Sequence, residues 1–257
     1  MTHFSAKVSL IIPAFNREQF VSAAVGSILR QTYRDFELVV WDDGSADGTA
    51  DAAEAAASAD PRVRIVRGEH CGVSASINAA AKILGGKYFA WVDSDDALMP
   101  TALAETVAVL DSMPEVGMVY TDYVTMDETG QLQGIGKRCS IPYSKDRLLI
   151  DFMTFHFRLM RRELFDAVGG ADPAMDGAED YDLSLKLSEI TNIHHLARPL
   201  YLYRVHSSSV SAQRRLQQIM TSKEAVTRAL QRRNMDREYE IDVELIGRFK
   251  LKKKKSD

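Results

Sequence analysis

Cysteine is nearly missing from this chain of 257 residues: Cys71 and Cys139 are the only two. Two thiols cannot build a disulfide framework, and neither stands in a metal-binding spacing, so a reducing, cytoplasmic setting is expected. Long apolar runs are missing too. Val8–Phe15 is too short to cross a bilayer, Pro13 and Asn16 interrupt it, and no segment approaches the ~18 uninterrupted apolar residues of a membrane helix. The first residues lack the charged region, long apolar stretch and small-residue cleavage site of a secretion signal. Excess charge is also missing. A formal net charge of -4 argues against a general nucleic-acid binder. The one local exception is the basic tail, Lys250 and Lys252 to Lys255. It reads as a solvated end, with weak peripheral contact at the inner face of a membrane, about 1 kcal/mol per lysine, as the alternative. No internal repeat is present.

What the chain does hold is enough apolar material, 46% of residues, for one large core, and a regular alternation in its first hundred positions. Val8–Pro13, Phe36–Trp41, Val63–Val66 and Tyr88–Val92 read as short buried strands. Arg17–Gln31, Asp47–Ala59 and Val73–Leu84 read as the helices between them, the last closed by Gly85 and Gly86. Apolar strands separated by helices predict an α/β fold with a mostly parallel sheet covered on both faces. In such sheets ligands sit beyond the carboxyl ends of the strands, here Pro13–Asn16, Asp42–Asp43 and Asp93–Asp96. After Asp96 the rhythm changes. Pro100–Met113 predicts a helix, Val116–Met126 with Gln131–Ile135 a hairpin, and Gly136–Phe152 a loop. Thr154–Met160 and Pro199–Val205 predict strands; Arg161–Val168, Ala178–Ser188 and Val210–Arg233 predict helices.

Three acidic clusters carry the chemistry. Asp93-Ser94-Asp95-Asp96 ends an apolar strand, and an extended backbone puts Asp93 and Asp95 on one side, a suitable pair for a hard divalent cation such as Mg2+ or Mn2+. The competing role is capping of backbone amides, which three acids in four positions would oppose by repulsion. Asp42-Asp43-Gly44-Ser45 is ordinary turn chemistry, yet its place at a strand end suits a carboxylate that accepts an N–H from a nucleobase. Glu179-Asp180-Tyr181-Asp182 either places negative charge in the first turn of a helix or supplies Asp180 as a general base, its proton affinity raised by acidic neighbours. His206 ends a strand and precedes hydroxyl residues, a setting for a metal ligand beside phosphate oxygens. The adjacent pair His194-His195 would point its rings to opposite faces of a strand and is assigned to structure.

Lined up in order, the elements are Val8 to Asn16, Asp42 to Ser45, Gly72 to Ser74 with Asn78, Asp93 to Asp96, Val168 to Gly170, Glu179 to Leu183, and Tyr203 to His206. In that order the chain resembles the family-2 inverting glycosyltransferases with the GT-A fold, over roughly Val8 to Ser211. The resemblance implies a GT-A-like sheet flanked by helices. Residues 1–96 would form the nucleotide-sugar-binding half, 97–211 the acceptor-binding and catalytic half of the same domain, and 212–257 a helical extension with the basic tail. It implies that Pro13, Ala14, Asn16, Asn78 and Ser94 lie at the nucleotide and donor, that Asp43 meets the base, commonly uracil, and that Asp93 touches the ribose or donor sugar. Asp95 and His206 would hold a divalent metal, Mn2+ or Mg2+, with Asp180 as the catalytic base. Glu179 and His156 are expected on the acceptor side, with further acceptor contacts from Gly136–Arg158. The implied partners are a nucleoside-diphosphate sugar, UDP-sugar first, and a glycan or lipid-linked acceptor in polysaccharide biosynthesis. One departure stands out: many relatives carry Ala-Arg-Asn where this chain has Ser76-Ile77-Asn78. A sugar nucleotidyltransferase is the first alternative, weakened because no basic glycine-rich loop follows the first strand. A non-catalytic nucleotide-sugar-binding module is the second.

Overall fold

The structure is a computed structural model and describes residues 6–207, 209 and 214–244. The lysine tail and residues 210–213, where the C-terminal helix was expected to begin, lie outside the described residues. One sheet organises the chain. Its strands are β1 (Val8–Ala14), β2 (Phe36–Asp42), β3 (Val63–Arg67), β4 (Tyr88–Trp91), β5 (Ala97–Leu98), β6 (Val116–Met126), β7 (Leu132–Ile135), β8 (Arg158–Arg161) and β9 (Asn192–Arg204). They lie in the order β3-β2-β1-β4-β8-β6-β9-β5, with β7 paired to β6. The first four strands of this order are parallel. Beyond them β8 runs antiparallel to both β4 and β6, and β9 returns parallel to β6.

Alternation along buried strands sends side chains to two cores, one on each face. Leu10, Ile12, Leu38 and Val40 pack against α1 (Val21–Leu29), α2 (Thr49–Ala57) and α4 (Ala102–Ser112). Ile11, Val39 and Phe89 pack against α3 (Val73–Ala81), α5 (Arg162–Ala167), α6 (Glu179–Ile190) and α7 (Arg215–Arg232). Helix α7 buries Ala225, Val226, Ala229 and Leu230, one stripe at i, i+1, i+4 and i+5. Burying Val226 and Leu230 contributes about 1.5–3 kcal/mol each.

The parallel half follows the expected alternation, and three departures have local causes. Arg17–Phe20 forms a turn instead of the first turn of α1, with the Arg17 N–H donating to Thr49 Oγ1 at 2.7 Å. Strand β8 is only four residues long; before it, Arg158 Nη1 donates to the carbonyls of Thr154 and Phe155 and holds that segment off the ladder. Strand β9 begins at Asn192 and not at Pro199, because the ladder with β6 tolerates the proline through a register shift. His194 and His195 therefore sit inside β9, where the His195 ring stacks on Tyr120 and its Nε2 lies 2.8 Å from Asp122.

Candidate active site

Register places the chemistry. Ala14 pairs with Asp42, so β1 and β2 end level, and Trp91 pairs with Ile11, so the acidic turn after β4 runs beside the end of β1. They open into a cleft of about 1210 Å³ lined by Pro13, Ala14, Asn16, Asp43, Asp93, Ser94 and Asp95 on one side and by His156, Glu179 and Asp180 on the other. Asn16, at φ 53, is tied to the second loop: its N–H donates to Ser45 Oγ and its Oδ1 accepts from the Ala46 N–H, both at 2.9 Å.

Asp43 is buried, and its four acceptor positions are filled. Oδ1 takes the Cys71 N–H at 2.8 Å and the Cys71 thiol at 3.2 Å; Oδ2 takes the Gly72 N–H at 2.9 Å and faces His70 Nδ1 at 2.8 Å. Burial works against its charge, yet these donors outweigh that and hold the carboxyl below its usual range. Gly44, at φ +73, makes the closeness possible, since a Cβ there would sit 2.8 Å from the His70 nitrogen. Any further N–H donor brought to this carboxylate would have to displace one partner. His70, 58% exposed and stacked on Phe15 at 4.1 Å, is the one placed to move.

At the centre, Asp95 Oδ2 lies 2.9 Å from His206 Nε2 and 3.3 Å from Arg17 Nε. Burial again opposes the charge, and the His206 hydrogen bond followed by the Arg17 charge holds the Asp95 carboxyl low. His206 does not line the cleft; its ring is enclosed against Phe20 and reaches the cleft through Asp95. Adjacent ligand atoms of an octahedral Mg2+ or Mn2+ sit about 3 Å apart, given bonds of about 2.1 Å. The Asp95–His206 pair therefore fits a divalent cation as two neighbouring ligands. Asp93, Asp96 and His156 form a second group with ligand atoms within 4.8 Å of one another. In that group Asp96 is occupied: it accepts from the Arg204 N–H at 2.7 Å and the Tyr201 hydroxyl at 2.8 Å. Asp96 thus bolts β9 to the end of β4.

Asp93 stands between the two halves, its side chain 36% exposed and 3.5 Å from His156 Nε2. Burial, then the charge of Asp95, pushes its carboxyl up to about 7. His156 lies face to face with Tyr201 at 4.5 Å, and burial followed by the charges of Arg158 and Arg138 keeps the imidazole neutral. Asp180, in the first turn of α6, faces Arg158 Nη1 at 3.2 Å. Arg158 is itself buried and lies over the Trp91 ring at 5.2 Å, so β8 orients the carboxylate. Next to it, Glu179 accepts the Gly177 N–H at 2.9 Å and is pushed up to about 8 by burial and then by Asp180. Strong upward shifts among the acids around the cleft fall on Asp93, Asp96 and Glu179, each led by burial.

Asn78 is corrected. It does not line the cleft, and both ends of its amide bind Ala171, Nδ2 to the carbonyl at 2.7 Å and Oδ1 from the N–H at 3.0 Å. It fastens α3 to the turn after α5, where Gly170, at φ +74, leaves room that a Cβ would take at 2.5 Å from Asn78 Oδ1. Ile77 is fully buried in the core beneath, so that helix position faces away from any ligand. Arg17 and the rings Tyr123, Phe152, Phe155 and Tyr203 line the cleft as well. Phe152 and Phe155 fall in the 136–158 stretch expected on the acceptor side and Tyr203 in the motif that ends at His206, while Arg17 and Tyr123 were not singled out.

Residues 9–169 match the family described as Glycosyl transferase family 2. The chain belongs to glycosyl transferase family 2. This family-2 chain is 31% identical over 204 residues to a chondroitin synthase of Escherichia coli, covering 79% of itself and 30% of that protein. It is 30% identical over 204 residues to a hyaluronan synthase of Pasteurella multocida, covering 79% and 21%. It therefore spans less than a third of the length of these relatives. Among solved structures, Staphylococcus aureus TarS 1-349 in complex with UDP aligns with a TM-score of 0.69 at 20% identity, over 87% of this chain and 65% of that one. A mannosyltransferase from Pyrobaculum calidifontis, in complex with GDP-Man and Mn2+, gives 0.69 at 22% identity, over 88% and 65%. The family-2 chain thus has the GT-A fold that its motif order implied. No helix among the described residues is long and apolar enough to cross a membrane.

Proposed function

We propose that this chain transfers a sugar from a nucleoside-diphosphate sugar to an acceptor hydroxyl by a single inverting displacement, with Asp180 as the general base. The supporting observation is that Asp180 lines the same cleft as Asp93 and Asp95, so a base faces the donor side across it. Pro13, Ala14, Asn16 and Ser94 form the donor wall. Asp43 takes the base once His70 swings aside, and Asp93 holds a ribose or sugar hydroxyl. Asp95 and His206 would hold a divalent cation, which supplies neutralisation of the charge on the departing diphosphate. Arg158 fixes the Asp180 carboxylate so that it accepts the proton of the attacking hydroxyl, and attack opposite the leaving group inverts the anomeric carbon.

The two named solved neighbours hold UDP in one case and GDP-Man in the other, so the base is the first thing to measure. Relatives named as polysaccharide synthases favour a glycan acceptor. A thermal-shift screen of UDP, GDP and their sugars, with and without Mn2+, identifies the donor by mass action. With that donor, Asp180→Asn is expected to lower turnover by about 10²–10⁴-fold while leaving donor affinity intact. Normal turnover in that variant would refute the base assignment.

A further inference from the structure

Most arginines in and beside the cleft have partners, and Arg215 on its rim is exposed to solvent. Arg17 faces Asp95, Arg158 faces Asp180, and Arg214 faces Asp176. The Arg204 guanidinium donates to the carbonyls of Asp95, Asp127 and Glu128. Arg138 is half-buried and, among the described residues, is in no ion pair. Its guanidinium lies over Phe155 at 4.4 Å and Phe152 at 5.1 Å, and one nitrogen donates to the Phe152 carbonyl at 3.2 Å. Tyr123 and Tyr203 complete the aromatic patch, their ring centroids 5.0 and 5.2 Å from that of Phe155.

A guanidinium set among rings without a carboxylate is costly to keep, and an apolar side chain of similar volume would fill the place more stably. Its chemistry suits an anion that comes and goes, because the planar fork meets a carboxylate or phosphate through paired hydrogen bonds. The surrounding rings suit the apolar face of a sugar. Position links the patch to the reaction: the Phe152 ring lies 5.1 Å from Arg138 on one side and 5.9 Å from Arg158, the partner of Asp180.

We propose that Arg138, with Phe152, Phe155, Tyr123 and Tyr203, forms an acceptor subsite for a glycan that carries an anionic substituent. This rests on the transferase function proposed above and adds the class of acceptor. The anion is a carboxylate on the sugar or a phosphate attached to it; both present oxygens to the same fork.

The test titrates 4-nitrophenyl β-D-glucuronide, 4-nitrophenyl β-D-glucoside and the 6-phosphate of that glucoside into the full chain. Binding is followed calorimetrically with Mn2+, both with and without the nucleotide found by the screen. At least one anionic probe is expected to bind roughly tenfold tighter than the neutral glucoside, the difference that charge-assisted hydrogen bonds supply. Which anionic probe wins identifies the source. Arg138→Gln should abolish that preference and Arg138→Lys should keep part of it, with nucleotide affinity and melting temperature unchanged. Equal binding of all three probes, binding of none, or a preference that survives Arg138→Gln would overturn the subsite. Loss of nucleotide binding by the unmodified chain would instead count against the transferase function, because the anion preference is also read without nucleotide.

Discussion

Glu179→Gln should make the protein more stable near neutral pH and leave it almost unchanged in mild acid. The Glu179 carboxyl is pushed from 4.5 up to about 8, by burial first and by Asp180 next. Between those two values the unfolded chain has lost this proton and the folded chain keeps it. Folded protein then binds more protons than unfolded, so this group makes stability fall as pH rises through that window. Going from about pH 5 to about pH 7.5 spans ~2.5 units, a ceiling of roughly 3.4 kcal/mol at 1.36 kcal/mol per unit. Glu179 is partly open to the cleft, and water screening reduces this to about 1.5–2 kcal/mol. The glutamine oxygen can still accept the Gly177 N–H, so the substitution removes the titration and keeps the bond. For a chain of this length the gain corresponds to about 3–8 °C in melting temperature. Melting curves at the two pH values, for both proteins, read it directly. Parallel behaviour of the two proteins, or a glutamine variant that is less stable at the higher pH, would show that Glu179 is not held protonated.

Asn78→Ala should lower the melting temperature, losing about 1–3 kcal/mol as the Ala171 amide and carbonyl are left unpaired, while nucleotide affinity stays unchanged. A selective loss of nucleotide binding there would return Asn78 to the donor pocket. His206→Ala should raise the Mn2+ concentration needed for half-maximal turnover by about 10–100-fold, as expected for a lost ligand, and a manganese titration of activity measures it. An unchanged titration would remove His206 from the metal site.

The parallel half was legible because each of its strands is a short apolar run bounded by turn residues, and its acids stand at strand ends where ligands collect. Asp43, Asp93 and Asp95 meet in one cleft for that reason, and Asp180 joins them from the first turn of α6. Less could be read beyond Asp96. Strand β5 is two residues long and leaves no periodic trace, while the strand pattern of Thr154–Met160 becomes ladder only from Arg158, which satisfies the carbonyls before it. Asn78 was misplaced because its partner, Ala171, is 93 positions away and offers only backbone. Arg138 lay within the 136–158 stretch expected to meet the acceptor but was not singled out there: its meaning lies in the carboxylate it lacks, a property of packing and not of spacing.

Because β4, β8, β6 and β9 form an unbroken ladder, and Asp96 locks β9 onto the end of β4, donor wall and acceptor wall share one stiff floor. Spreading them by a hinge would mean tearing backbone hydrogen bonds across the middle of the molecule. The span from Asp95 to Asp180 is consequently a built-in dimension, and the size of the sugar that can be carried across it is set by side chains on the rim.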